Sequence, residues 1–303
     1  MSVPNSAVLT RSLGTSLSEA LRDYLILMKP GVMLLVLITT AAAMWVAEGD
    51  APAPGVLLAT LAGTLMAGGS AGALNHVLDR DIDAVMRRTS KRPVVTGRVT
   101  PARAVAFAVA LGVTSFVLLY ALVNPLTAYL AVGGILFYVL VYTVWLKRRT
   151  PQNIVIGGAA GAVGPLIGWA AVTGRVDWAA FIMFLIVFFW TPPHFWALAL
   201  ALRDEYAQAR VPMLPVVRGE EATRRQIYLY TWLLVATTLV LYAFGVLGWL
   251  YLLAALLLGG QLVRAAHALL GDGSESRARA LFSYSNIYLL SLFTAMVLDV
   301  SLL

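Results

Sequence analysis

Nine stretches of this chain, near residues 25–47, 55–78, 102–121, 125–145, 153–173, 178–200, 227–244, 247–268 and 281–300, are long apolar runs. Each can cross a hydrocarbon core of about 30 Å as a helix. A soluble domain can bury one or two such runs, but not nine. In lipid, backbone polar groups must be satisfied within the segment or around a closed barrel, and runs that are apolar throughout, rather than alternating, select helices. Only 12% of the residues are charged, against about 25% in a soluble domain. The predicted class is all-α: a polytopic membrane protein with nine transmembrane helices.

Charge alternates between the connecting loops. Arg11, Arg22 and Lys29 precede or open the first run, and seven basic residues from Arg80 to Arg103 follow the second. Lys147, Arg148 and Arg149 follow the fourth, five from Arg203 to Arg225 follow the sixth, and Arg264, Arg277 and Arg279 follow the eighth. Of 22 basic residues only Arg175 falls on the other side. The positive-inside rule then predicts a cytoplasmic amino terminus and a carboxyl terminus outside. The net charge of +7 reads as topology signal and attraction to anionic membrane lipids; it is spread over loops beside membrane helices and does not form a nucleic-acid footprint. With no cysteine, disulfides and thiolate metal sites are excluded. Residues 1–23 lack the apolar core of a signal peptide and are read as a cytoplasmic segment before a single domain over 24–303.

The second run ends in NHVLDRDIDAVMRRTSKRP. If its helix continues to residue 83, Asn75, Asp79 and Asp83 share a side and Asp81 points elsewhere. Carboxylates at that spacing repel, and partial desolvation raises the cost. A divalent cation relieves both; oxygen ligands suit Mg²⁺, which commonly uses one or two carboxylates together with substrate phosphates. Arg87, Arg88, Lys91 and Arg92 then offer donors to phosphate oxygens, and Pro93 and Gly97 end the helix locally. The other reading is an ordinary solvated loop with local salt bridges.

The sixth run ends in FFWTPPHFWALALALRDEYAQARVPMLPVVRGEE. Pro192 and Pro193 are predicted to bend it and free carbonyls near His194. His194 is either a ligand or proton carrier, or a structural histidine; His76 and His267 carry weaker signals. Phe188, Phe189, Trp190, Phe195 and Trp196 form an aromatic patch that either stacks a flat substrate and shields a carbocation, or packs the core. Arg203, Asp204, Glu205 and Tyr206 fall on the same side as the first cluster, where a second acidic patch completes a two-metal clamp. VPMLPVV, residues 211–217, reads as a rigid cap. Small residues in the fifth run permit close helix approach. Together these features suggest a central cavity, open to the cytoplasm, that binds a lipid diphosphate.

NHVLDRDID, through Asn75, Asp79 and Asp83, resembles the Asn-x-x-x-Asp-x-x-x-Asp motif of the UbiA-type intramembrane prenyltransferases. DRDIDAVMRRTSKRPVVTGRV, with TPPHFWAL and VPMLPVV, is similar to their branch of protohaem IX farnesyltransferases. The likeness covers about residues 20–298. It implies a nine-helix bundle that transfers farnesyl from farnesyl diphosphate to a vinyl group of haem B, with Mg²⁺ as cofactor, in a bacterial inner membrane. Haem A synthase or terminal-oxidase assembly proteins would be its partners.

On that resemblance Asp79, Asp83, Lys91 and Tyr206 are the expected catalytic residues. Asn75, Arg87, Arg88, Lys91, His194, Arg203, Asp204 and Glu205 are expected to bind substrates, and Asp79, Asp83 and Glu205 the metal. Two departures stand out: Glu205-Tyr206 where relatives read Asp-Tyr, and Arg210 where glycine commonly precedes Val-Pro-Met-Leu-Pro. The competing readings are a prenyltransferase for 4-hydroxybenzoate or another quinone precursor, and a membrane transporter, which would place acidic residues deep at midplane.

Overall fold

The computed structural model describes residues 17–302. Among these every regular element is a helix: α1 Leu17–Leu27, α2 Pro30–Glu48, α3 Pro54–Leu78, α4 Arg80–Val85, α5 Pro101–Leu122, α6 Pro125–Leu136 with a π-helical continuation Phe137–Leu146, α7 Asn153–Thr173, α8 Trp178–Ala201, α9 Arg203–Gln208, α10 Leu214–Val217, α11 Glu220–Ala243, α12 Trp249–Asp272 and α13 Glu275–Leu302. Nine of them, counting α6 with its continuation as one, are long and apolar enough to span a membrane. These are the nine expected spans, and Arg11 with the rest of residues 1–16 lies outside the described residues.

The helix starts follow from the sequence. Proline opens α2, α3, α5 and α6, where its missing N–H would have had no partner anyway. Asn124 Oδ1 accepts the Thr127 N–H at 2.9 Å to cap α6. Gly49, Gly174 and Gly273 end α2, α7 and α12 in the left-handed conformation.

Boundaries moved where local chemistry intervened. The first span starts at Pro30 rather than near 25, because Lys29 turns left-handed (φ 54°, ψ 58°) and separates off α1. The seventh starts at Glu220 rather than 227, since Glu221 pairs with Arg225 one turn on at 2.5 Å and carries the helix beyond the apolar run. Pro192 and Pro193 sit inside α8, which continues past both.

α3 packs on α5, α2 on α7, α8 on both α7 and α11, and α12 on α11 and α13; α13 returns to α8 and α2 and closes the bundle. The small residues of α7 permit this. A Cβ on Gly168 would stand 2.1 Å from the Thr40 carbonyl oxygen of α2, and one on Gly157 would stand 2.2 Å from the Tyr142 ring. At the opposite end from α4, buried Asp299 of α13 accepts the N–H groups of Gly248 (2.5 Å) and Tyr251 (2.9 Å) and so caps α12 from another helix.

Candidate active site

α3 ends at Leu78, but its hydrogen-bond ladder runs on. The Asp79 N–H donates to the Asn75 carbonyl at 2.9 Å and the Asp83 N–H to the Asp79 carbonyl at 2.8 Å. Asn75, Asp79 and Asp83 therefore stack one turn apart, and all are buried, at 2%, 0% and 3% exposure. Asp81 points outward, as its spacing predicts.

Basic side chains from three other segments meet this edge. Lys147, just past the π-helix, pairs with Asp79 Oδ2, which also accepts Asn75 Nδ2 at 2.6 Å. Arg92 donates to Asp83 Oδ2 at 2.5 Å. Lys29 donates to Asn75 Oδ1 at 2.6 Å and to the Tyr138 hydroxyl at 3.1 Å. Asn75 Nδ2 reaches Thr143 Oγ1 at 3.1 Å. Carboxylate repulsion, expected to call for a metal, is met here by lysine and arginine. Arg92 and Lys147 pair with the two carboxylates and Lys29 stands beside Asn75 in a poorly solvated place, where an incoming polyanion would favour the charged form of Lys29. Lys29 shows the strain: burial first, then Arg92 and Lys147, hold its pKa down to about 7.

One atom stands apart. Asp79 Oδ1 is buried without a hydrogen-bond partner, with the Arg148 guanidinium at 3.9 Å. Arg148 instead holds exposed Asp81 through two 2.7 Å bonds. From the Lys29–Tyr138 contact an apolar cleft of about 110 Å³ opens among α2, α3, α6 and α7, lined by Val36, Ala67, Ala71 and Gly161.

Arg87, Arg88 and Lys91 are exposed, and within the basic run Arg92 is the side chain on Asp83. Arg88 faces Tyr206, whose burial pushes its phenol pKa up. The Lys147–Asp79 and Arg148–Asp81 contacts put the segments following the second and fourth spans on one face, and the proximity of Arg88 to Tyr206 brings the segment after the sixth beside them. Nearby, Arg203 pairs with Glu220 at 3.0 Å and Asp204 is exposed, while Glu205 is half-buried with Oε2 unpartnered. Arg203, Asp204, Glu205, Glu220 and Glu275 line a polar pocket of about 370 Å³. Among the described residues no three acidic or histidine side chains converge on a metal position. Glu205, expected on the metal with Asp79 and Asp83, here lines this second pocket.

His194 lies between the rings of Trp190 (4.1 Å) and Phe282 (4.6 Å), with Nδ1 2.7 Å from Ser285 Oγ. The Ser285 hydroxyl can donate its one proton to the Phe282 carbonyl at 2.7 Å. With the proton directed at that carbonyl, Ser285 accepts from Nδ1–H and the lone pair lies on Nε2; with the hydroxyl turned to Nδ1, the two ring nitrogens exchange roles. Trp190 and Trp196 are core residues, and His76 is buried with neither ring nitrogen partnered.

The sequence model of the UbiA prenyltransferase family matches residues 36–289. The chain belongs to this family. It is 55% identical to a protoheme IX farnesyltransferase of Gloeobacter violaceus over 93% of both chains. A protoheme IX farnesyltransferase of Symbiobacterium thermophilum is 54% identical, over 93% of this chain and 95% of its own. Two solved structures share the fold. One is of digeranylgeranylglyceryl phosphate synthase in membranes, with TM-score 0.78 and 18% identity over 94% of this chain and 100% of the other. The other is a UbiA homologue from Archaeoglobus fulgidus bound to GPP and Mg²⁺, with TM-score 0.62 and 16% identity over 90% and 99%. Membership makes the chain a multi-pass membrane prenyltransferase and sets the transporter reading aside.

The residues fit a divalent metal on one direct observation: Asp79 Oδ1 is a buried carboxylate oxygen with no partner, and Asp83 lies one turn further on the same side. Two carboxylates plus substrate oxygens are what Mg²⁺ commonly takes. Sequence reasoning missed Tyr138, Thr143 and the local roles of Lys29 and Lys147, reading the two lysines only as topology signals. Their position at the margin of an apolar run was the available clue.

Proposed function

We propose that this UbiA-family protein transfers the farnesyl group of farnesyl diphosphate to a vinyl group of haem B, giving haem O and diphosphate. The observation that carries the chemistry is Asp79, with one oxygen held by Lys147 and Asn75 and the other without a hydrogen bond, among basic side chains. The high identity to protoheme IX farnesyltransferases supports the acceptor. Asp79 Oδ1 and Asp83 would hold Mg²⁺, which when bound supplies charge that draws electrons onto the departing diphosphate.

Lys29, Arg92 and Lys147 balance the remaining phosphate charge, and Arg88, exposed beside Tyr206, meets it from the outer side. The farnesyl C1–O bond breaks with its electron pair on diphosphate, and the terminal vinyl carbon forms the new bond to C1. Water then adds at the porphyrin-adjacent carbon and loses a proton, leaving a hydroxyl. The buried walls around Asp79 limit the water that would otherwise quench the allyl cation. His194 is assigned to the haem. The positive-inside pattern supports placing this face in the cytoplasm; the membrane would then be a bacterial inner membrane, with haem O passing on to haem A synthase or oxidase-assembly proteins.

The test incubates purified protein with farnesyl diphosphate and Mg²⁺, supplying haem B or 4-hydroxybenzoate in parallel. Haem O formation is expected. Prenylated hydroxybenzoate without haem O would assign the chain to quinone precursors instead. A haem Soret band that does not move between wild type and His194→Ala would remove His194 from the haem site.

A further inference from the structure

The helix from Phe137 to Leu146 is π-helical. The Lys147 N–H donates five residues back to the Tyr142 carbonyl at 2.8 Å. The Thr143 hydroxyl makes the matching side-chain bond, to the Tyr138 carbonyl at 2.9 Å. The sequence FYVLVYTVWL crowds β-branched and aromatic side chains that fit α-helical turns poorly. π-Helices are rare, mostly single turns, and gather at functional sites.

Widening the turn from 3.6 to about 4.4 residues changes which side chains share a face. In an α-helix Lys147 would point half a turn away from Tyr138, and Thr143 about 140° away. In the π register Thr143 lies about 50° and Lys147 about 20° from Tyr138. These three are the groups that meet the acidic edge: Tyr138 on Lys29, Thr143 on Asn75 and Lys147 on Asp79.

We propose that the π register is a positioning device for the transfer site. Through it, Lys147 and Thr143 act as positioning residues: Lys147 directly, and Thr143 through Asn75, fix Asp79 Oδ2 and leave Oδ1 as the oxygen presented to an incoming metal–diphosphate. This rests on the reading of Asp79 as a ligand of that group.

The experiment uses the full chain in nanodiscs. It measures turnover and, separately, Mn²⁺ binding by electron paramagnetic resonance with the inert analogue farnesyl thiodiphosphate. Lys147→Met is expected to raise half-saturating Mn²⁺ at least tenfold. Deleting Val144, which is exposed, swings Lys147 off the face in either register, and kcat/KM is expected to fall at least a hundredfold. Deleting exposed Leu140 as well lets an ordinary α-helix place Thr143 four and Lys147 seven residues after Tyr138, back within about 40° of it. Recovery to within tenfold of wild type is expected.

Wild-type Mn²⁺ half-saturation in Lys147→Met overturns the proposal, as does equal Mn²⁺ binding by the single and double deletions. If a deletion does not fold, Thr143→Val decides with Lys147→Met, since it loosens Asn75 without removing a charge: raised half-saturating Mn²⁺ is expected, and a wild-type value overturns the proposal. Asp79→Asn separates the two levels: retained metal binding and turnover there would sink the diphosphate reading itself. Loss in Asp79→Asn alongside a normal Lys147→Met would sink only the register proposal.

Discussion

Asn75–Asp83 and Arg203–Tyr206 are both acidic segments that follow a long apolar helix on the same face, yet they are built in opposite ways. In the first, two carboxylates are almost fully buried, Arg92 and Lys147 pair with them, and Lys29 from α1's end holds the neighbouring Asn75. In the second, Asp204 is exposed and Arg203 meets Glu220 with side chains 47% and 42% exposed. An exposed pair of that kind contributes about 0–1 kcal/mol, whereas removing one partner of a buried pair costs about 3–5 kcal/mol. What separates the two segments is therefore not their acidity but the burial of the carboxylates and the basic groups packed against them.

The largest effects should fall on the first segment. Asp79→Asn and Asp83→Asn are each expected to lower kcat by about a thousandfold, the scale of losing a major electrostatic group. Membrane insertion should persist, because both residues lie at the end of a span. Asp204→Asn should change haem O formation by less than about twofold, as for a surface group. Equal losses at Asp79 and Asp204, measured in one product assay, would erase the difference between the segments. Stripping divalent metal should silence wild type and Asp204→Asn alike, with Mg²⁺ restoring both at the same half-saturation.

Glu205 stands between the two classes, half-buried with one unpartnered oxygen. Glu205→Gln keeps its shape and removes its charge, and a loss of about tenfold in kcat/KM for farnesyl diphosphate is expected. A loss as large as that of Asp79→Asn would promote the second segment to an equal half of the site.

The fold was legible because hydrophobic length is a local signal: nine apolar runs gave nine spans, with prolines and glycines at their ends. The Asn75–Asp79–Asp83 edge was legible for the same reason, being one helical side. What failed to show was whatever depended on a second segment. Arg92 and Lys91 are neighbours in sequence, and only packing decides that Arg92 turns to Asp83. Lys147 reaches Asp79 because the helix before it is π-wound, and no hydrophobic pattern distinguishes that winding. Asp299 looks like an isolated charge in the last span until Gly248 and Tyr251 supply its partners.

Arg210 offers a smaller effect in the second segment. It adopts φ 53°, where an L-residue is disfavoured by roughly 1–2 kcal/mol relative to glycine. Arg210→Gly relieves that strain but gives the unfolded chain more freedom. A net gain of about 0.5–1 kcal/mol is expected, read as a raised unfolding midpoint in detergent with unchanged turnover. A lowered midpoint would mean that the Arg210 side chain stabilises the turn by more than its backbone strains it.

The smallest effect concerns Asp81, the carboxylate of the first segment that faces solvent. The Arg148 hydrogen bonds hold its pKa down, from 3.8 to about 2. A carboxyl depressed in the fold contributes stability above pH 3.8 and loses it as pH falls towards about 2. Because both side chains are well exposed, at 61% and 40%, screening keeps the contribution of the pair below about 1 kcal/mol. Asp81→Asn should therefore cost little stability and flatten only the acid end of the unfolding curve. It also frees Arg148, which already stands 3.9 Å from Asp79 Oδ1, to compete for the oxygen left open to metal. Half-saturating Mg²⁺ should then rise by about threefold, a small change for a group worth under 1 kcal/mol. Unchanged Mg²⁺ dependence would show that Asp81 does not restrain Arg148 and that Asp79 is kept open by other contacts.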